Sequence, residues 1–162
     1  MNNIKGKASV TGYYEADHER LDGLFKTFQT LKQKDFVQAK QAFVDFKFGL
    51  QRHIVWEEEI LFPVFEKKTG MRDSGPTAVM RLEHREIGAE LEAVHQKVKE
   101  RDAESDAKEE KLISLLSEHN RKEEVILYPA IDRFLNPAEL EEIFKKMEAL
   151  PLERYNTCCG GH

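Results

Sequence analysis

A chain of 162 residues that is 40% apolar and 34% charged, with nine glycines and five prolines, has the composition of one helical domain with a real core, which excludes a disordered segment. Its formal net charge is −5 and its basic residues are scattered among acidic ones, so no basic stripe exists to neutralise phosphates; nucleic acid and anionic membranes are excluded as expected partners. No stretch approaches the roughly 20 apolar residues that span a bilayer, the N-terminal MNNIKGKASVTG has no apolar leader core, and a cytoplasmic location is expected.

Helical periodicity starts near Tyr13 and runs to Lys34, placing His18, Leu21, Phe25 and Phe28 on one face. Asp35 is an N-cap for the second segment, whose stripe is Ala39, Phe43, Phe46, Leu50, His53, Glu57, Ile60 and Leu61. Residues Gly70 to Gly75 break the pattern. Pro76 suits the start of the third segment, with Met80, His84, Ile87, Leu91, Val94 and Val98 on its inner face. A polar turn near Arg101 to Asp106 precedes the fourth, which directs Leu112, Leu116, His119, Glu123, Ile126 and Leu127 inward. Asn136, Pro137 and Glu139 spell a capping box that opens a short fifth helix burying Leu140, Ile143, Phe144 and Met147.

Short connections between long helices favour antiparallel neighbours, so the expected fold is all-α, an up-down-up-down antiparallel four-helix bundle with a short C-terminal fifth helix. The domain is expected over residues 1–152, with 153–162 a flexible tail ending in Cys158-Cys159-Gly160-Gly161-His162. Two adjacent cysteines at the chain end cannot staple the core, so the fold does not depend on disulfides.

The chemistry lies in a phrase written twice. Residues 53 to 65 read HIVWEEEILFPVF and 119 to 131 read HNRKEEVILYPAI, and a lone histidine, His18 or His84, precedes each copy by 35 residues, directly after Asp17 or Glu83. Residues i and i+4 share a helix face, so His53 with Glu57, and His119 with Glu123, project inward together. Buried carboxylates and imidazoles without partners are costly, and a cation offsets that cost. At 1.5 Å rise per residue, His18, His53, Glu57, His84, His119 and Glu123 fall roughly 22 to 33 Å from one end of the bundle, a single layer. A ferritin-like reading from Glu15-x-x-His18 and Glu92-x-x-His95 puts His95 only about 13 Å from that end and leaves His53 and His119 unexplained. Pro63 and Pro129, ten residues after His53 and His119, are expected to kink or end their helices. Tyr14 lies one turn before His18 and reads as packed, with hydrogen bonding around the site as the alternative. Glu58 and Glu124 read as solvated or as hydrogen-bonded to a ligating imidazole.

These residues, with the ILFP and ILYP phrases, resemble the hemerythrin-like (HHE cation-binding) domain over roughly Gly12 to Leu150. The resemblance implies a non-haem di-iron centre, oxo- or hydroxo-bridged, with His18 and His53 on one iron, His84 and His119 on the other, and Glu57 and Glu123 bridging. Manganese and zinc also accept this donor set. The oxygen carriers of the family have a further histidine where Met80 stands, and a differently spaced Asp where this chain has Glu123. The four-His, two-Glu set looks more like the di-iron domain of bacterial iron-centre repair proteins, which carry an N-terminal Cys-Cys extension absent here. The expected function is therefore binding of oxygen, nitric oxide or peroxide, or supply of iron in stress response and repair of iron–sulfur clients. The alternative is a di-iron enzyme, a peroxidase or nitric oxide reductase.

Overall fold

The computed structural model describes residues 9–156, whose regular structure is helical throughout. Helix α1 spans Val10–Leu31, α2 Phe36–Trp56, α3 Phe62–Thr69, α4 Pro76–Lys99, α5 Asp106–Lys122, α6 Tyr128–Phe134 and α7 Pro137–Ala149, followed by a 3-10 turn at Leu152–Asn156. The segments pack as a helical bundle in which α1 lies against α2, and α4 against α5. Among the described residues no helix is long and apolar enough to cross a membrane.

Local chemistry sets most boundaries. The Asp35 side chain accepts from the Gln38 N–H at 3.2 Å and starts α2, while Asn136 and Glu139 form the reciprocal capping box of α7. Gly70 ends α3 with φ of 74°, a left-handed conformation that costs glycine little. Helix α1 begins three residues earlier than its apolar periodicity, for a tertiary reason. Ser9 Oγ accepts from the Gly12 N–H at 2.9 Å, and Asp132, on α6, accepts from the Val10 and Thr11 N–H groups at 2.8 and 3.0 Å and from the Thr11 hydroxyl at 2.6 Å.

Between α2 and α3, and between α5 and α6, the rod continues through a five-residue π turn, Glu57–Leu61 and Glu123–Leu127. In each the ladder skips a residue: the Phe62 N–H donates to the Glu57 carbonyl and the Tyr128 N–H to the Glu123 carbonyl. Pro63 and Pro129 then stand in the first turn of a resumed α-helix, where a missing N–H is tolerated. Neither proline ends its helix; the chain stays helical to Thr69 and to Phe134.

Two apolar cores flank the layer of candidate ligands. One gathers Leu21, Phe25, Phe43, Phe46, Ile87, Leu91 and Leu112. The other gathers Tyr14, Trp56, Phe62, Met80, Tyr128, Ile143 and Phe144, closed by α7 and by Tyr155, whose hydroxyl accepts from Trp56 Nε1 at 2.8 Å. Residues 153–156 form that closing turn, whereas Cys158 and Cys159 lie outside the described residues. One inward expectation fails. Ile126 is 55% exposed although its counterpart in the repeat, Ile60, is 7% exposed. Helix α7 packs over the first π turn and covers Ile60, and Ile126 has no such cover.

Candidate metal centre

The six residues singled out by spacing converge. His18 comes from α1, His53 from the last turn of α2, His84 from the middle of α4 and His119 from the last turn of α5, while Glu57 and Glu123 each open a π turn. All six are buried. Glu57 Oε1 lies 3.5 Å from His53 Nε2 and 3.3 Å from His84 Nε2; Glu123 Oε1 lies 3.3 Å from His18 Nε2 and 3.2 Å from His119 Nε2. The rings pair by position, His18 with His53 at 4.6 Å between centroids and His84 with His119 at 4.8 Å. Ligand-type atoms of Glu57, His84, His119 and Glu123 fall within 4.8 Å of one another, as do those of His18, His53 and Glu123. His95 takes no part: it stacks on Phe43 at 5.9 Å in the apolar half.

The electrostatics match a cation site. Glu57 is pushed up to about 7 by burial and then by the charge of Glu123. Burial also opposes ionisation of Glu123, but His119 and His18 hold it well below the usual carboxylate range. Burial lowers imidazoles, yet Glu123 raises His18 to about 9, and Glu57 with Glu58 raises His84 to about 10. Among the described residues Glu57 Oε1, His84 Nε2 and both Glu123 oxygens are buried without a hydrogen bond. Buried polar atoms are rarely left unpaired. Imidazole nitrogen with carboxylate oxygen is a donor set for a first-row metal, and these orphan atoms face one another where such an ion fits.

Four more carboxylates orient the imidazoles, each accepting from an Nδ1–H. Asp17 holds His53 at 2.8 Å, Glu83 holds His119 at 2.9 Å, Glu58 holds His84 at 2.7 Å and Glu124 holds His18 at 3.2 Å. A carboxylate there fixes the tautomer, turns Nε2 toward the centre and raises its basicity. Asp17 and Glu83 reach a histidine of their own half; Glu58 and Glu124 reach a histidine of the other half.

The sequence model of the hemerythrin HHE cation-binding domain matches residues 10–131, most of the chain. The chain belongs to that family. It is also 45% identical over 47 residues to an iron-sulfur cluster repair protein, YtfE, of Yersinia pseudotuberculosis serotype IB (strain PB1/+), and 43% identical over 47 residues to the protein of the same description in Yersinia pestis (strain Pestoides F). Each match covers 29% of this chain and 21% of the relative, so the chain spans about a fifth of the length of the curated relatives it matches. No solved structure gives a significant match.

Two features of this HHE domain escape spacing arguments. The first is the holding role of Asp17 and Glu83, signalled only by an acidic residue before each lone histidine; Glu58 and Glu124 take the hydrogen-bonded one of the two roles expected of them. The second is Tyr128, legible only as the aromatic of the repeated phrase, whose hydroxyl donates to Glu57 Oε2 at 2.7 Å. Tyr14 packs its ring edge-on to His53 at 5.0 Å and turns its hydroxyl to Met147 Sδ at 3.5 Å, which is the packed role expected of it. An open groove of about 600 Å³ between α1 and α5 reaches His18, Asp22, Leu116 and Asn120, and the same four residues border a small inner pocket touching His53, Glu57, His119 and Glu123.

Proposed function

We propose that this chain is a non-haem di-iron protein that binds a small ligand (oxygen, nitric oxide or peroxide) or supplies iron for repair of damaged iron centres. His18 and His53 hold one iron, His84 and His119 the other, and Glu57 and Glu123 are shared. The observation that carries the reading is the convergence of four Nε2 atoms on two fully buried carboxylates, of which Glu57 Oε1 and both Glu123 oxygens have no hydrogen bond. Iron supplies the binding and redox chemistry; the chain orients the imidazoles through Asp17, Glu58, Glu83 and Glu124 and admits small molecules by the α1–α5 groove. With an apolar Met80 where the carriers have a further histidine, each half contributes two histidines and one glutamate and neither has a fifth imidazole, which supports reactivity or iron release over reversible oxygen storage. The printed names of the Yersinia relatives support iron–sulfur client proteins as partners. For the bundle, we take the up-down-up-down order: Phe25 and Phe28, late in α1, share a core with Ala39, Phe43 and Phe46, in the first half of α2, and ring contacts pair Phe28 with Phe43 and Phe25 with Phe46, which supports antiparallel neighbours.

Metal analysis of the purified protein, with optical spectra taken anaerobically and after oxygen or nitric oxide, tests this. Two irons per chain with ligand-dependent charge-transfer bands are expected. A single zinc with a silent spectrum refutes the reading, and peroxide or nitric oxide turnover lost in Glu57→Ala transfers it to the enzyme alternative.

A further inference from the structure

A shift of 66 residues carries His18 onto His84, His53 onto His119, Glu57 onto Glu123, and each holding carboxylate onto another. The aromatic of the repeated phrase breaks this likeness. In the first copy it is Phe62, whose ring lies parallel to His84 at 5.9 Å with an angle of 7° between planes. In the second it is Tyr128, 0% exposed, whose hydroxyl enters the centre. Its oxygen lies 2.7 Å from Glu57 Oε2, 3.1 Å from His53 Nε2 and 3.5 Å from His18 Nε2.

Those separations are what ligand atoms around one cation show. Donors about 2.0 to 2.2 Å from a metal and at right angles to each other lie about 3 Å apart. A tyrosine that only braces a carboxylate needs one polar neighbour at its oxygen. Tyr128 has three, all candidate ligand atoms, and among them are the Nε2 atoms of both His18 and His53.

We propose that Tyr128 is itself a metal ligand, its phenolate oxygen binding the ion held by His18 and His53, so that the two metal positions are chemically unequal. The inference rests on the di-iron reading. Coordination exchanges the phenol O–H bond for an O–metal bond, the proton leaves to solvent, and no electron is transferred. The His84/His119 position, faced by the apolar ring of Phe62, gains no such oxygen. The near-symmetry of the histidines and glutamates thus hides one oxygen-rich and one oxygen-poor position.

The test is iron content with resonance Raman spectroscopy of the full chain in its ferric form, on protein made with ordinary and with ring-deuterated tyrosine. The expected result is a visible phenolate-to-iron band whose vibrations shift on deuteration. Tyr128→Phe abolishes them while iron content is retained; Tyr14→Phe keeps them; Phe62→Tyr adds a second set. A wild-type protein that holds two irons yet shows no deuteration-sensitive phenolate vibration overturns the proposal and leaves the di-iron reading standing. A chain that takes up no iron overturns both. If Tyr128→Phe fails to fold, the isotope shift in the wild-type protein still decides.

Discussion

Replacing Asp17 with Asn isolates one supporting carboxylate without emptying its space. Asp17 is 8% exposed, lies 2.8 Å from His53 Nδ1 and also pairs with Arg20 at 2.9 Å. Against the opposing effect of burial, His53 holds its carboxyl at about 2, so it is ionised at any working pH and the amide removes a full charge. Loss of such a partner typically costs 10- to 100-fold in metal affinity, or about 1.4 to 2.7 kcal/mol. Since the Asp17 carboxylate hydrogen-bonds His53 alone among the candidate ligands, and its chain neighbour His18 belongs to the same position, the cost falls on one of two positions. Anaerobic Fe(II) titration against a competing chelator is expected to become biphasic, one metal per chain binding as before and the other 10- to 100-fold more weakly. Glu83→Gln, which acts on His119 at 2.9 Å, is expected to weaken the other position. In the metal-free protein, freeing the Arg20 side chain, 44% exposed, is expected to change stability by only about 0–1 kcal/mol. Equal weakening of both positions, or of neither, in a variant with an unchanged metal-free melting temperature refutes the argument.

Metal uptake is expected to release protons. His18 and His84, raised to about 9 and about 10, are charged at neutral pH in the metal-free protein, and an entering metal displaces those protons, so apparent affinity rises with pH up to that range. A pH-indicator titration that shows no proton release at pH 7 refutes this. The same raised values give the metal-free protein stability that is fully present below the unfolded value of 6.5 and is lost as pH rises through about 9 and 10, which thermal melts across that window measure. Asp132→Ala removes three bonds to the start of α1 and is expected to cost about 1–2 kcal/mol in denaturant unfolding, with amide exchange accelerated at residues 10–13; uniform protection there refutes the cap. Gly49→Ala puts a methyl group 2.6 Å from Leu21 Cδ2 at the α1–α2 contact and is expected to destabilise by about 1–3 kcal/mol; a neutral or stabilising outcome shows that Leu21 and Arg20 yield freely.

What the chain declares by itself is local and periodic. The i, i+4 spacing of His53 with Glu57 and of His119 with Glu123 is set by helix pitch, so their shared face needs no tertiary information, and the repeat makes chance an unsatisfactory account. The Asp35 and Asn136 caps are equally local, since donor and acceptor are three residues apart. Relations between helices are not written in any short window. The pairing of Asp17 with His53 and of Glu58 with His84 arises where different helices meet, and the cap that Asp132 gives α1 spans more than 120 residues. The π turns, too, elude apolar periodicity, because the ladder skips a residue while the helix continues. Ile60 and Ile126 occupy the same place in the repeated phrase, yet only packing by α7 buries one and leaves the other in solvent. Phe62 and Tyr128 differ by a single oxygen, and its weight in the chemistry emerges only when the bundle brings that oxygen beside Glu57, His53 and His18. Helix geometry thus put the ligand types on their faces, and the packing of the helices decided which groups meet, because contact between distant segments depends on how whole faces fit together.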